Sequence, residues 1–591
     1  MVEPRYRWVF PGITSLAPDV LDAAARHSLS PRVAGILAAR GVVGVAELDA
    51  WFAEPRIGLH DPGLLPDAAI LVDRLRRARD AHERVLVFGD FDADGLTGLA
   101  ILVLALRRFG IEVMPYVPSR LDEGHGLSLA ALAAAKAGGA TLIVTVDCGS
   151  TSVAEIAEAK ARGLDVIVTD HHRVPAELPD ALAIVNPHRP DSLYPDRRLA
   201  GSGVAFKVAC LLLDGEPGGP EAALALADLA TIGTVADVAP IVGENRAIAR
   251  IGLDQLRRGP RPGLAALMAR SGVAPEAVDL ESVAFAIAPR LNAAGRMGEA
   301  AEAARLLLAE DPDEAATRAD ALEAANGARR DLMKTAIAEA RAALEGEPDG
   351  PAVVVRGPWT VGIVGLVAAR LAEDRSRPAV VGADLGTVVR ASCRSDGSLD
   401  LGATLEACAD LFIRYGGHAG AAGFEIATDR WDTFRERFLA LAGLMPRPDP
   451  RAILALDLAL PALDVDYALH RDLARLAPCG PGNPEPLVVV LGLTATRVRE
   501  AAGGHSQLTL RRDRDVLDGI AFGRTDIAGT VREGDRLDVV ARITSRRFGG
   551  FESLQLDIRD VARSGAHPEA AALLVAGGSM PGVPAAAGRP G

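Results

Sequence analysis

The sequence predicts an α/β protein whose largest domain is built on a parallel β-sheet. Three short β-branched runs indicate this sheet, because each is followed by an alanine-rich helical stretch, as in βαβ units: residues 85–88, 142–146 and 165–169. A second α/β pattern begins near residue 352, and short strands of alternating hydrophobicity occupy the region from about 450 to 562. We therefore expect two α/β domains and a small closed β-barrel.

A chain of 591 residues is too long for a single core, so several domains are expected. The stretch from 299 to 346 is rich in helix-forming residues, and we interpret it as a connection between domains rather than as a binding element. The composition divides the chain into a helical segment, the parallel-sheet domain, connecting helices, the second α/β domain, the barrel, and a Gly/Pro/Ala-rich tail that we expect to be disordered: residues 1–70, 71–298, 299–346, 347–446, 450–562 and 563–591.

The composition indicates a cytoplasmic protein with no membrane partner. No stretch approaches the roughly 18 apolar residues of a spanning helix, and the first residues contain no signal region. The five cysteines form neither CxxC pairs nor a disulfide framework, which fits a reducing compartment. The net charge of −14 does not exclude a nucleic-acid enzyme, because a cleft that grips one strand needs only a local basic lining.

Carboxylates and imidazoles follow the predicted strands and a fourth apolar segment, and we expect each of them at the end of a strand or turn. Since parallel strands end at the same edge of a sheet, we expect these side chains to meet: Asp90, Asp92, Asp94, Asp147, Asp170, His171, His172 and Asp237. A single Asp at a strand end is usually a turn former or a helix cap. So many like charges in one place repel unless a cation lies among them. Oxygen and imidazole ligands suit Mn²⁺ or Mg²⁺, and we interpret Cys148 as a small buried residue.

These residues form motifs that resemble those of the DHH phosphoesterase superfamily: residues 89–95, 146–149, 170–172 and 233–237. Other segments resemble the RecJ family of bacterial exonucleases within that superfamily: residues 118–120, 123–127, 201–207, 289–297, 415–423 and 481–486. The resemblance extends from about residue 31 to about residue 561. It implies a DHH domain, a long helix, a DHH-associated domain and an OB-fold barrel.

The resemblance also implies an activity, which is 5′–3′ degradation of single-stranded DNA to 5′-mononucleotides in DNA repair and recombination. Two Mn²⁺ or Mg²⁺ ions are implied, with five ligands of which Asp147 would bridge the ions: Asp92, Asp94, Asp147, His171 and Asp237. His172, Asp90 and Asp170 would orient the site. Besides single-stranded DNA, a helicase and a single-strand-binding protein are the partners that the resemblance suggests.

The resemblance places a pocket for the 5′-phosphate at Arg120, Ser392 and Arg394, whose guanidinium and hydroxyl groups suit a terminal phosphate. His125 stands where the family often has a tyrosine that can stack on a base, and Trp359-Thr360 replaces a Trp-His pair. His418 is a candidate DNA contact, although a histidine in a glycine-rich turn is more often structural. The predicted hairpin loop that contains Arg546, Arg547 and Phe548 suits base stacking, with a solvated turn as the alternative.

Two other functions remain open. The first is a DHH phosphodiesterase for short oligonucleotides or cyclic dinucleotides, which would need neither the barrel nor the helical connection. The second is an inactive scaffold that binds single strands, which would be expected to have lost metal carboxylates, whereas all of them are present here. Both features favour the exonuclease.

Overall fold

The computed structural model describes residues 2–12, 15–120, 122–346, 350–445, 451–548 and 551–577. The chain divides into two compact units. One unit comprises residues 54–448 and holds both α/β domains. The other combines residues 1–53 with residues 449–591 and holds the barrel.

The first α/β domain contains a five-stranded sheet that is parallel throughout, as predicted. Its strands, in spatial order, are Glu112–Tyr116, Arg84–Gly89, Ala140–Val146, Asp165–Thr169 and Ala183–Val185. Alternate apolar side chains of the central strands enter a large core on one face and a smaller core on the other. Burial on both faces explains why these runs are continuously apolar. The sequence reading identified the three central strands and missed the two that flank them.

Helices cover both faces of this sheet: Ala68–Asp80, Ala93–Phe109, Leu129–Ala137, Val153–Ala161, Gly201–Leu213, Gly219–Leu224, Ala227–Ala236, Gly243–Arg258, Pro262–Ser271, Leu280–Ser282 and Ala288–Met297, the last preceded by a π-helical turn, Val283–Ile287. The segment before Asp237 is one of these helices. Asp237 is therefore the C-cap of Ala227–Ala236, and the expectation that it follows a strand or turn is wrong. Alanine, glycine and leucine, which dominate this segment, pack closely in a buried helix.

A buried ion pair anchors the helix Gly201–Leu213 inside the domain. Lys207 Nζ lies 2.7 Å from Glu244 Oε1, and the two side chains are 1% and 0% exposed. The hydroxyl of Tyr194 donates to the other carboxylate oxygen at 2.6 Å. The backbone of His60 completes the network, since its N–H donates to Glu244 at 2.9 Å and its carbonyl accepts from Lys207 at 2.6 Å. Such a pair tolerates burial because hydrogen bonds satisfy both charges.

Residues 299–346 form two helices, Ala300–Leu307 and Pro312–Ala343. The second begins at Asp311, whose side chain accepts hydrogen bonds from the N–H groups of Asp313 and Glu314 at 2.9 and 2.8 Å. This cap explains the break between the helices.

The second α/β domain has a mixed sheet in the order Phe412–Gly417, Ala421–Ala427, Val388–Arg394, Ala379–Asp384 and Val353–Gly357, in which only the last two strands pair in parallel. The helices of this domain are Val361–Arg375, Leu401–Glu406 and Trp431–Gly443. Aromatic side chains of the last helix, led by Phe434 and Phe438, fill a core beneath one face.

The other unit contains a closed five-stranded barrel, as predicted. Its strands are Val488–Ala501, His505–Arg512, Asp515–Ala521, Phe551–Arg563 and Arg536–Phe548, and the first pairs with the last to close it. A further strand, Leu458–Pro461, extends the sheet. Two short helices, Tyr467–Leu473 and Thr525–Thr530, accompany these strands.

The N-terminal helices share a core with the barrel. They are Pro18–Arg26, Pro31–Ala39 and Val45–Phe52, and their side chains Leu37 and Leu48 belong to the same buried cluster as Leu460 and Val490. The strand Arg7–Val9 also pairs in parallel with Ile453–Ala455. Deleting residues 450–591 would therefore expose the core face of the N-terminal helices.

The expectation of a disordered tail from residue 563 is wrong for its first part. A helix, Pro568–Gly577, follows the last strand, and Ala570 is fully buried in a small core with Trp8. His567 also stacks on Trp8, with ring centroids 4.5 Å apart. The alanine-rich run forms a helix because it can bury one face, and residues 578–591 lie outside the described residues. Across the described ranges, every helix is too short or too polar to cross a bilayer.

Candidate active site

The carboxylates after the strand Arg84–Gly89 lie in a tight turn that leads into the helix Ala93–Phe109. Asp92 caps this helix, because its Oδ1 accepts hydrogen bonds from the N–H groups of Asp94 and Gly95 at 3.0 and 3.1 Å. Asp90 accepts from the N–H of Phe91 at 2.9 Å. The spacing of these carboxylates at every second residue predicts that all three share one side of an extended chain, and this prediction is wrong because a helix begins at Ala93. The turn nevertheless keeps them together.

Asp94 is held by the N-terminus of a second helix. Its two carboxylate oxygens accept hydrogen bonds from the N–H groups of Gly201 and Ser202, at 2.6 and 2.9 Å. The N-terminus of a helix carries a partial positive charge and free N–H groups, so it suits an anionic side chain. The helix can come this close only because residue 201 is a glycine. A Cβ added there would lie 2.7 Å from Asp147 Oδ1.

Asp147 lies at the centre of the site. Its backbone adopts φ +63°, a left-handed conformation that costs energy for a residue with a side chain. Its Oδ1 is 3.0 Å from His171 Nε2 and 3.9 Å from His172 Nδ1. Within the described residues, Asp147 Oδ1 and His171 Nε2 are buried and find no hydrogen-bond partner. These two buried atoms could both coordinate one metal ion, which would explain why they lie close together without a hydrogen bond.

Seven side chains supply three overlapping groups of potential ligand atoms, and within each group the atoms lie within 4.8 Å of one another: Asp90, Asp92 and Asp147; Asp94, His171 and Asp237; Asp147, His171 and His172. All five ligands implied by the resemblance are thus brought together. Asp147 belongs to two groups, which suits a ligand shared between two ions. Asp90 and His172, expected only to orient the site, are also within reach of an ion.

The electrostatics of the cluster also fit cations. Burial, and then repulsion from Asp94, raises the pKa of Asp147 well above its usual value. Burial and the charges of Asp90 and Asp94 raise the pKa of Asp92, and burial and Asp94 raise the pKa of Asp237 to about 7. Carboxylates arranged in this way keep their charge at neutral pH only beside positive charge.

Asp170 orients the site rather than joining it. It is buried, and its Oδ1 lies 2.8 Å from His172 Nδ1 while its Oδ2 accepts from the N–H of Ser150 at 3.0 Å. Burial opposes the ionisation of Asp170, but the hydrogen bond from His172 outweighs it and lowers the pKa of this carboxyl group. The same bond raises the pKa of His172 to about 9. The imidazole is therefore fixed in one orientation.

Three guanidinium groups lie together beside the carboxylates: Arg120, Arg296 and Arg394. Burial, together with the charges of Arg120, Arg329 and Arg394, lowers the pKa of Arg296 to about 10. Arg394 Nη1 donates to Ser392 Oγ at 3.1 Å. Among the described residues, none of the three arginines forms an ion pair with a carboxylate. Half-buried cations that repel one another and form no ion pair suit an anion such as phosphate.

The helix Ala288–Met297 connects the two halves of this site. Asn292 Oδ1 accepts from the N–H of Ala93 at 2.9 Å, at the turn that holds the carboxylates. Arg296 Nη1 donates to the carbonyl of Gly362 at 3.1 Å, in the second α/β domain. Residues 289–297 resemble a RecJ family motif, but the sequence prediction gives no role to Arg296. An arginine in a motif to which no other chemistry is assigned could have indicated an anion site.

The remaining predicted contacts have different outcomes. His125 Nδ1 lies 2.9 Å from Asp90 Oδ2, and its ring packs on Phe91 at 4.4 Å, so it belongs to the site. His418 is exposed in a turn whose Gly420 carbonyl accepts from the N–H of Ser395, next to Arg394, and no described contact joins its ring to the metal cluster. Arg546 is exposed near the end of a barrel strand, while the side chains of Arg547 and Phe548 lie outside the described residues. Trp359 Nε1 donates to Glu339 at 2.8 Å, and Thr360 precedes the helix Val361–Arg375.

A parallel sheet with ligands at its carboxyl edge, joined to a second domain that supplies Arg394, defines a metal-dependent phosphoesterase of the DHH class. Residues 84–234 match the DHH family, N-terminal domain, residues 349–443 match the DHHA1 domain, and residues 456–560 match the RecJ OB domain. The fold predicted from the sequence is thus confirmed.

The chain is 34% identical over 543 residues to the single-stranded-DNA-specific exonuclease RecJ of Bacillus subtilis, across 91% of this chain and 68% of that protein. Crystal structures of RecJ from Thermus thermophilus in complex with Mn²⁺ and with Mg²⁺ match with TM-scores of 0.79 and 0.75 and identities of 33% and 31%. Both cover 95% of this chain, and 80% and 79% of the solved chains. The chain belongs to the RecJ family. Mn²⁺ and Mg²⁺, the ions in these two structures, are the two kinds of ion that the sequence predicts.

Proposed function

We propose that this chain is a single-stranded-DNA-specific exonuclease that uses two Mn²⁺ or Mg²⁺ ions to release 5′-mononucleotides from the 5′ end. One observation carries this proposal, namely that a cluster of unpaired arginines lies directly beside a cluster of metal ligands. The first cluster suits a terminal phosphate, and the second suits the chemistry of the adjacent phosphodiester.

The order of the strands supports separate roles for the arginines, which bind the terminal phosphate, and the metal ligands, which act on the next phosphodiester. The strand Glu112–Tyr116 leads towards Arg120, its neighbour leads to Asp90, Asp92 and Asp94, and the next strand leads to Asp147. Adjacent strands lie about 5 Å apart. A 5′-phosphate held by Arg120, with Arg394 contributed from the second domain, would therefore place the following phosphodiester over the metal ligands.

Hydrolysis at this position explains repeated digestion from one end. Attack of water on the phosphorus breaks its bond to the 3′-oxygen of the terminal nucleotide, which leaves as a 5′-mononucleotide. The shortened strand keeps the phosphate at its new 5′ end, so the arginine cluster can bind it again. Two divalent ions held by the carboxylates and imidazoles supply a hydroxide near neutral pH and stabilise the attacking and leaving oxygens. Asp147 positions both ligand groups, and Asp170 orients His172.

The outer face of the barrel suits the rest of a single strand. Arg497 and Arg499 stand on the first barrel strand, opposite Thr509 and Gln507 of the second. At the end of the third strand Phe522 is 55% exposed and packs edge-to-face on His505, with ring centroids 5.1 Å apart. Cations that follow the backbone and aromatic rings that stack on bases are the usual components of a single-strand surface.

Phe522→Ala tests this face. Stacking contributes about 1–3 kcal/mol per base, so affinity for a thymidine oligomer should fall about fivefold or more in fluorescence anisotropy without metal. Val516→Ala is the matched control, because Val516 is 59% exposed on the same strand but has no ring. Equal affinities of the two variants would exclude stacking at Phe522.

Digestion of end-labelled strands tests the function itself. With Mn²⁺ or Mg²⁺ restored after EDTA treatment, a 5′-labelled single strand should release labelled mononucleotide at once, whereas a 3′-labelled strand should shorten step by step. Duplex DNA should resist, and Asp147→Ala should be inactive while still folded, because both ligand groups that contain this residue are lost. Release of mononucleotide first from the 3′ label would contradict the proposed direction. Digestion of dinucleotides alone would favour the oligonucleotide phosphodiesterase.

We further place this activity in the cytoplasm, in DNA repair and recombination, with a helicase and a single-strand-binding protein as partners. The support is that the curated relative is named for its specificity towards single-stranded DNA. Because chromosomal DNA is double-stranded, an enzyme with that specificity acts where a duplex has been opened. Retention of the purified protein on an immobilised single-strand-binding protein, compared with a blocked surface, tests the second partner.

A further inference from the structure

Two arginines and a histidine lie at the far end of the sheet edge from Arg120. Arg173 follows the strand Asp165–Thr169, and His188 follows the edge strand Ala183–Val185. Arg197 is exposed in the loop that comes next along the chain. The carboxyl edge of the sheet thus carries arginines at both ends, with the metal ligands between them.

One buried side chain holds the two loops of this group together. Asn186 is fully buried, and its Nδ2 donates to the carbonyl of His172 at 2.9 Å and to Ser150 Oγ at 3.0 Å. Its Oδ1 accepts from the N–H of His188 at 2.8 Å. Residue 172 and residue 188 are therefore fixed side by side, directly next to the metal ligands.

The charges in this group are close enough to influence one another. Burial lowers the pKa of His188, and the positive charges of Arg197 and Arg173 lower it further. These groups are therefore neighbours in space.

Nearby carboxylates are already paired with other cations. Asp191 binds Arg189 at 2.7 Å, and Asp196 binds Arg198 at 2.7 Å. In the part of the chain that the structure describes, neither Arg173 nor Arg197 forms an ion pair. Unpaired arginines beside a metal centre stand out in a chain with a net charge of −14.

We propose that Arg173, His188 and Arg197 form a second phosphate-binding site, which holds the backbone of single-stranded DNA on the 3′ side of the bond that is cut. This inference rests on the proposed function, because it takes the direction of the strand from the arginine cluster at the other end. Arg173 and His188 follow the next two strands after the one that leads to Asp147, which lie about 5 and 10 Å further along the edge. An extended backbone that passes Asp147 in this direction would therefore reach them. Contacts of this kind position the strand without reading its sequence.

The double variant Arg173→Gln, Arg197→Gln tests the site by substrate length. A 5′-phosphorylated thymidine dinucleotide has no phosphate beyond the phosphodiester that is cut, whereas a strand of about a dozen thymidines has several. The rise in KM on the long strand should exceed the rise on the dinucleotide about fivefold or more. Arg107→Gln is the matched control, because Arg107 is exposed in the last turn of the helix Ala93–Phe109, away from the carboxyl edge.

Binding measured in EDTA separates this inference from the proposed function. The slope of log Kd against log salt for the long strand should fall by about 0.7 for each lost phosphate contact, or about 1.4 for the double variant. An unchanged slope, or equal losses on dinucleotide and long strand, would overturn the second phosphate site and leave the arginines as supports of the metal loop. Failure of the wild-type chain to hydrolyse DNA would instead contradict the proposed function. The salt slope would still show whether the site binds phosphate.

Discussion

Substitution of Arg394 gives the sharpest test of the arginine cluster. Arg394 is half-buried beside Arg120 and Arg296 and donates to Ser392 Oγ and to the carbonyl of Cys393, at 3.1 and 2.8 Å. None of these contacts neutralises its charge. Arg394→Ala should therefore leave the fold intact and remove one of three positive charges that face the proposed 5′-phosphate.

The expected loss can be worked from the contacts. A charge-assisted hydrogen bond contributes about 1.5–3 kcal/mol, and about 1.4 kcal/mol corresponds to a factor of ten. Because Arg120, Arg296 and Ser392 remain, the site should be weakened rather than lost. We expect kcat/KM on a 5′-phosphorylated strand to fall about tenfold or more. On a 5′-hydroxyl strand of the same sequence the loss should be much smaller, since no terminal phosphate is present.

The ratio of kcat/KM on the two strands is the measurement, because changes in folding or metal loading affect both alike. Arg390→Ala is the matched control. Arg390 lies on the same strand and the same face, but its Nε is 2.9 Å from the Glu425 carboxylate, so its charge is already balanced. This control should keep the wild-type ratio. Equal losses on both strands in Arg394→Ala would mean that Arg394 contacts an internal phosphate or supports the fold, and would refute the role in end recognition.

Two further substitutions test how the site is built. Gly201→Ala should abolish hydrolysis in the end-label assay, because the new Cβ would lie 2.7 Å from Asp147 Oδ1, whereas Gly203→Ala on the same helix, with its nearest contact at 3.4 Å, should remain active. Activity of both variants would contradict the need for close approach. Lys207→Met should cost about 3–5 kcal/mol in urea unfolding, because it leaves a buried carboxylate without its cation. Lys160→Met breaks an exposed pair and should cost less than about 1 kcal/mol; similar losses would contradict the assignment.

Much of the active site could be predicted from the sequence because strand ends leave a clear pattern. Three apolar runs with carboxylates or histidines directly after them predicted both the sheet and the edge where Asp92, Asp147 and His171 meet. Asp237 was found by its motif, although the element before it is a helix and not an extended segment. The composition of a buried segment does not distinguish these two structures, because helix and strand can both be apolar on all sides.

Features that depend on distant segments could not be predicted. Arg296 joins the arginine cluster only because the helix Ala288–Met297 lies between the two α/β domains. The N-terminal helices pack with a barrel that begins some four hundred residues later, and an apolar helix face does not reveal which surface it will cover. The helix at Pro568–Gly577 was missed for the same reason, since its alanines are buried only against a core that includes Trp8.

The ligands alone do not account for the metal centre, because two glycines determine whether the ligands can converge. Gly201 allows the helix that holds Asp94 to approach Asp147, and a Cβ added at Gly233 would lie 2.5 Å from Asp94 Oδ1. Gly233 lies inside a helix, where glycine costs about 1 kcal/mol relative to alanine, and Gly201 is the first residue of another helix. The benefit that offsets this cost is close packing. The N-terminus of one helix can bind Asp94 while Asp147 remains within reach of His171. A chain with every carboxylate and histidine in place but with alanine at either position would therefore retain the ligand motifs and lose the geometry that brings two ions together.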